Sequence, residues 1–172
     1  MRAMTQADVD AVHAIEHEVQ PYPWTRGNFA DALDNCYLCC VDSEELLPGH
    51  PEAGCEIRGY AVLIPLADEA ELLTIGVAAA QQRKGLGRAI LGSMLDVARK
   101  RNIKRVFLEV RVSNAAAIAL YHGAGFEKIG VRRGYYNNAN GSEDAITMAC
   151  ELSSPQAPLA RTAEGNNPGV CG

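Results

Sequence analysis

Residues 71–121 set the terms on which this chain can fold. They run from an apolar strand through a glycine-bearing turn into a long amphipathic helix. A second strand and a short helix ending in tyrosine follow. At the centre lies Gln82-Arg83-Lys84-Gly85-Leu86-Gly87-Arg88, with two glycines and three cations where strand gives way to helix. Backbone N–H groups at a helix start, reinforced by positive side chains, make a nest for an anion. A diphosphate fits such a nest. The turn is no Walker loop, because no Lys-Ser/Thr pair follows the glycines. It is also a poor dinucleotide fingerprint, because Ile90 stands where a third glycine belongs.

The flanking segments read as alternating strands and helices. Thr5 caps a first helix over residues 5–19, with Asp8 at the capping-box position and an apolar face of Val9, Val12, Ile15 and Val19 that also takes in Glu16. Pro21-Tyr22-Pro23-Trp24 breaks it, and Thr25 caps a second helix over residues 26–33. Strands are expected at 36–42, 58–65, 72–77 and 105–112, and two more at 126–133 and 145–152. Residues 43–53 read as a surface loop, and Tyr135 to Gly141 joins the last two strands. Gly76, inside the third strand, predicts a bulge or a close backbone approach. The long helix spans 85–102, and Asn114 opens a short one ending near His122. This order predicts a single α/β domain over residues 1–152, with helices packed on a mixed central sheet. Residues 153–172 carry three prolines and little to bury, and read as a disordered tail.

Bulk properties exclude several function classes. Sixteen Lys and Arg against 21 Asp and Glu give a formal charge of −5 over 172 residues, unlike the basic excess of most nucleic-acid binders. No apolar run approaches the roughly 20 residues of a membrane-spanning helix. No secretion signal is apparent at the N-terminus, so a cytoplasmic protein is expected. Its six cysteines then read as thiols. Cys36-x-x-Cys39 has no second pair at zinc-ligand spacing, and Cys39 and Cys40 read as small apolar residues of a strand, with no metal expected.

Two residues stand out as chemistry. In the strand at 105–112, Val106, Leu108 and Val110 share one face, and Phe107, Glu109 and Arg111 the other. Glu109 is a candidate general base or a plain ion-pair partner of Arg111. Tyr121 is a candidate proton donor or a space-filling ring between helix and sheet.

The combination is more specific than its parts. Q-x-x-G-x-G after an apolar strand, then Glu109-Val110-Arg111-x-Ser113-Asn114-Ala115-Ala116-Ala117-Ile118-Ala119-Leu120-Tyr121, closely resembles the GNAT superfamily of acetyl-CoA-dependent N-acetyltransferases. Pro23-Trp24-Thr25, Arg132-Arg133-x-Tyr135-Tyr136 and Glu143-Asp144-Ala145 resemble its RimI type, which acetylates the N-terminal alanine of a small-subunit ribosomal protein. The resemblance covers residues 1–152.

It implies a GNAT fold, acetyl-CoA as co-substrate and the N-terminus of a ribosomal protein as partner, with no nucleic acid, no membrane and a monomer expected. It further implies that Ile75, Gly76 and Val77 pair with the pantetheine arm and steady the thioester carbonyl. Arg83, Lys84, Gly85, Leu86, Gly87 and Arg88 would hold the diphosphate, and Asn114 would touch the cofactor arm. Glu109 would be the base and Tyr121 the acid, while Trp24, Tyr135 and Tyr136 would line a peptide cleft. The alternatives are a related acetyltransferase acting on a small amine, a polyamine or an internal lysine, and an idle acetyl-CoA-binding module.

Overall fold

The computed structural model describes residues 1–45, 54–138 and 141–152. The strands are β1 (Arg2–Ala3), β2 (Leu38–Glu45), β3 (Cys55–Leu66), β4 (Glu69–Val77), β5 (Arg105–Arg111), β6 (Glu127–Asn138) and β7 (Gly141–Glu151). The helices are α1 (Val9–Val19), α2 (Arg26–Asp34), α3 (Leu86–Lys100) and α4 (Ala115–Gly123). The expected tail and most of the expected 43–53 loop lie outside the described residues, as does part of the last hairpin turn. Residues 43–45 continue β2.

Among the described residues, seven strands form one sheet in the order β1-β2-β3-β4-β5-β7-β6. All neighbours are antiparallel except β4 and β5, which are parallel because α3 carries the chain back between them. This is the mixed sheet the sequence predicts. β1 was not legible in the sequence, because two exposed residues carry no alternation to read.

Two cores sandwich the sheet. α3 packs Ile90, Leu91, Met94, Leu95 and Ala98 on one face, against Ala61, Leu63, Ala70 and Val106. Every one of these is at least 97 % buried, and an apolar helical face of this width needs such cover. α1 and α2 cover the opposite face of β2 and β3 with Val12, Ile15, Phe29 and Ala32 against Val41, Tyr60 and Val62. That second layer stops at β4. On the same side, β5 and β6 present Glu109, Arg111 and Arg132 instead.

Local chemistry accounts for the helix starts. The Asp8 carboxylate accepts the Thr5 N–H and hydroxyl, each at 2.8 Å, completing the expected capping box. Thr25 Oγ1 accepts from the Asn28 N–H at 3.2 Å. The first turn after Thr5 is a 3-10 turn over Gln6–Asp8, so the α-helix proper begins at Val9. Cys39 and Cys40 are covered by the neighbouring strands and helices, and burial pushes their thiols up to about 11 and about 12. They behave as apolar strand residues rather than thiolates.

Candidate functional site

β4 and β5 hold together only at their first residues. Their ladder joins Glu69, Ala70 and Glu71 to Arg105, Val106 and Phe107 and then ends. The remaining halves of the two strands are not joined to each other, and a cleft opens where they part. Its cavity is about 240 Å³, and β4, β5 and the segment between α1 and α2 all contribute to its walls. Glu109, Tyr121, Asn114, Trp24, Tyr136 and Ile75 all line it. Six of the residues singled out from sequence thus meet in one cavity, although they come from five stretches of chain: β4, β5, β6, α4 with its cap, and the segment between α1 and α2.

The main chain of β4 is turned toward the gap at alternate residues. The Ala78 N–H donates to the Arg58 carbonyl on β3 at 2.9 Å. In an antiparallel ladder, residues 76 and 74 then also bond β3, and Ile75 and Val77 present their N–H and C=O groups to the other side. Two side-chain amides find those carbonyls: Gln20 Nε2 reaches Ile75 O at 3.3 Å, and Gln82 Nε2 reaches Val77 O at 3.1 Å.

The predicted bulge is not at Gly76. Val62 pairs with Thr74 and Leu63 with Leu72, which makes Leu73 the surplus residue. Gly76 is in regular register with Tyr60. It is glycine because an added Cβ would lie 2.5 Å from Tyr60 Cε1 and 2.6 Å from its hydroxyl. The bulge breaks the alternation of β4: Leu72 and Ile75 belong with the α3 core, whereas Leu73 and Thr74 both turn to the α1–α2 side, Thr74 to Glu16.

The glycine turn has the geometry of a nest. Arg83 and Gly85 both adopt positive φ, at 59° and 83°, on either side of Lys84. Alternation of this kind points successive N–H groups to one side. Gly85 then caps α3, with residues 82–85 exposed. No atom crowds a Cβ at Gly85, so the demand for glycine there is conformational. Gly87 sits between Val77 and Leu120, and Leu86 packs on the α3 core. The Arg88 guanidinium lies against Gly123 at the end of α4, where an added Cβ would come within 3.2 Å. A diphosphate-bearing cofactor fits this exposed, twice left-handed turn.

Around Glu109 the sequence-level pairing changes partner. Glu109 does not pair with Arg111; Arg132 Nη1 lies 2.5 Å from its Oε1. Arg111 pairs with Glu143 at 3.0 Å, and Glu143 also accepts the Ser113 N–H at 2.9 Å. Those hydrogen bonds at Ser113, and Arg111 beside them, hold the Glu143 carboxyl below its usual range. The Arg111 guanidinium lies between two rings, 4.6 Å from the Tyr22 centroid and 4.0 Å from that of Tyr136. Tyr136 donates to the Glu109 backbone carbonyl at 3.3 Å.

Tyr121 is 7 % exposed, and burial pushes its phenol up to about 12. Asn114 caps α4 through Ala117 at 3.1 Å, which fixes the helix that aims Tyr121 at the cleft. Tyr135 does not line the cavity. It stands outside, edge-on to Tyr136 and beneath Arg132.

Sequence reasoning missed Tyr22, Glu71 and the function of Glu16. Glu16 is 1 % exposed. Its carboxylate accepts the Trp24 N–H at 2.9 Å, the Thr74 hydroxyl at 3.3 Å and the Tyr60 hydroxyl. Burial raises its pKa against the pull of those donors. A charged residue inside the apolar stripe of α1 was the available signal. Glu71 closes the β4–β5 ladder, and burial, then the charge of Glu109, raise its pKa.

A family model described as Acetyltransferase (GNAT) family matches residues 9–126. This chain belongs to the GNAT acetyltransferase family. As a GNAT acetyltransferase it is an enzyme that uses acetyl-CoA. It is 36 % identical over 151 residues to the [ribosomal protein bS18]-alanine N-acetyltransferase of Escherichia coli (strain K12), covering 88 % of this chain and 96 % of that protein. The crystal structure of the ribosomal-protein-S18-alanine N-acetyltransferase from Escherichia coli superposes with a TM-score of 0.78 at 36 % identity, over 92 % of this GNAT chain and 97 % of that one. A Salmonella typhimurium structure solved with its cofactor acetyl-CoA shares the fold at 23 % identity, with a TM-score of 0.71 over 92 % and 96 % of the two chains. Among the described residues, no helix of this GNAT protein is long and apolar enough to cross a membrane.

Proposed function

We propose that this protein transfers the acetyl group of acetyl-CoA to the N-terminal alanine amine of a ribosomal protein. The observation that carries the reading is the meeting of Glu109 and Tyr121 in one small cleft, at the point where β4 and β5 part. The 36 % identity to the Escherichia coli enzyme supports the choice of substrate.

Acetyl-CoA supplies an activated acyl group as a thioester. An α-amine has a pKa of about 7.7–8.0 and is largely protonated near neutrality, so it must shed a proton before it can attack. Glu109 takes that proton, directly or through water. The Ile75 and Val77 N–H groups, turned to the gap, offer donors to the oxyanion that develops on the thioester carbonyl. As the carbon–sulfur bond breaks, Tyr121 gives a proton to the departing thiolate, and the new amide nitrogen sheds its second proton to water, from which the phenol is restored. Burial keeps its phenol protonated across physiological pH, the form an acid requires. The nest at Arg83–Gly85 holds the diphosphate, and Asn114 stands by the cofactor arm. Trp24 and Tyr136 bound the peptide end. Tyr135, outside the cavity, hydrogen-bonds the Glu109 carboxylate and stands edge-on to Tyr136, so it bears on the site through both.

The test is a steady-state comparison of a peptide beginning with alanine against free polyamines and a lysine-containing peptide with a blocked N-terminus. Preference for the free alanine N-terminus is expected. Equal or better turnover of either competitor would remove the assignment.

A further inference from the structure

We propose that Leu73 is the size filter for the first side chain of the acetylated peptide. The inference deepens the reading of the cleft as a peptide N-terminus site and rests on it.

Three observations single out Leu73. It is the surplus residue of the β4 bulge, so it is pushed out of the regular pleat on the side away from α3. It lines the cleft. The other aliphatic side chains there, Ile75 and Val110, belong with the α3 core, whereas Leu73, like Trp24, packs on the α1–α2 side. A substrate end entering past Trp24 therefore meets Leu73 as its aliphatic wall.

A filter must also stay in place. The next residue, Thr74, is tied to the buried Glu16 carboxylate at 3.3 Å, and that carboxylate holds the Trp24 N–H at 2.9 Å. One buried group thus fixes both the bulge and the opposite rim. The cavity, at about 240 Å³, is below the ~300–1,000 Å³ of ordinary ligand pockets. Leu73 bounds this small space beside Trp24, so the first side chain of the substrate grows toward a wall that is already pinned.

The test compares kcat/KM for peptides that differ only in their first residue, glycine, alanine, serine, valine or methionine. It uses the wild type, Leu73→Ala and Leu73→Phe. For Leu73→Ala, the valine-to-alanine ratio should rise at least about tenfold, the lower end of what one methylene decides in an apolar pocket. Leu73→Phe should shift preference toward glycine. If Leu73→Ala does not fold, Leu73→Val carries the same expectation in the same direction. Unchanged ratios in every folded variant, with the wild type active on the alanine peptide, would overturn the filter and leave the peptide reading standing. A wild type that acetylates free amines but none of the peptides would overturn the peptide reading itself.

Discussion

Arg132 and Glu109 meet at 2.5 Å although a whole strand lies between them. Arg132 sits on β6 and Glu109 on β5, with β7 in the middle. Ala145 of β7 is in register with both Arg132 and Arg111, and it is small and fully covered. That gap in side-chain height lets the guanidinium reach across. Glu109→Gln should lower kcat by roughly 10²–10⁴-fold, the range for a positioned base. Arg132→Gln should lower it less, because the carboxylate remains but loses the partner that orients it. Steady-state kinetics at saturating acetyl-CoA measure both. A wild-type kcat in Glu109→Gln would remove the residue from the mechanism.

Tyr121→Phe should also cost roughly 10²–10⁴-fold in kcat. The direction of its pH effect follows from burial. With the phenol raised to about 12, the proton-donating form persists well above neutrality. Rate should therefore not decline on the alkaline side through loss of this proton until the pH approaches that value. A pH–rate profile in which a fall near pH 9 vanishes on Tyr121→Phe would contradict the assignment.

Arg111 bridges the two rims of the cleft, with Tyr22 on one side and Tyr136 on the other. Arg111→Ala should loosen the rims and raise the peptide KM. With about 0.5–2 kcal/mol for a cation–π contact, the rise is a few-fold to roughly thirtyfold. The KM for acetyl-CoA should change little, and a parallel rise in both constants would count against a rim-specific role. Arg111→Lys should recover only part of the loss, since an ammonium does not stack between rings as a guanidinium does.

Gly76→Ala should destabilise the fold by about 1–3 kcal/mol, the usual cost of forcing a methyl into a filled site. The new Cβ would press on the Tyr60 ring and move its hydroxyl off Glu16. Thermal or urea unfolding measures this. An unchanged midpoint would show that the ring yields freely.

Arg2 ties β1 to the start of α1 through a two-pronged contact with Asp8, both bonds at 2.7 Å. This pairing, with the Thr5 donors, lowers the Asp8 carboxyl to about 2. Because the folded pKa lies below the unfolded one, the native state binds fewer protons than the unfolded state between them. The stabilisation is present above pH 4 and is lost as the pH falls toward 2. Its size is about 2 kcal/mol. Asp8→Asn should lose that amount at pH 7 and flatten the acid limb of the stability curve, as read from urea midpoints across pH 2–7.

What sequence alone determined was local. The capping box at Thr5, the N-cap at Thr25, the alternation of Val106, Leu108 and Val110, the apolar stripe of α3 and the glycine turn all depend on residues within a few positions of one another. Backbone sterics and periodic burial decide such features, so they could be read before any fold was known. The roles of Glu109 and Tyr121 were legible only through the spacing they share with a family. Tertiary structure decided the rest. It gave Glu109 to Arg132 rather than Arg111, moved the bulge from Gly76 to Leu73, set Tyr22 against Arg111, turned Tyr135 out of the cleft and made Glu16 the hub beneath it. Each of these depends on register between strands far apart in the chain, or on which side chains a buried carboxylate meets. Neither is encoded in the spacing of any single segment, because a shift of one residue in a ladder exchanges every neighbour without altering the local pattern.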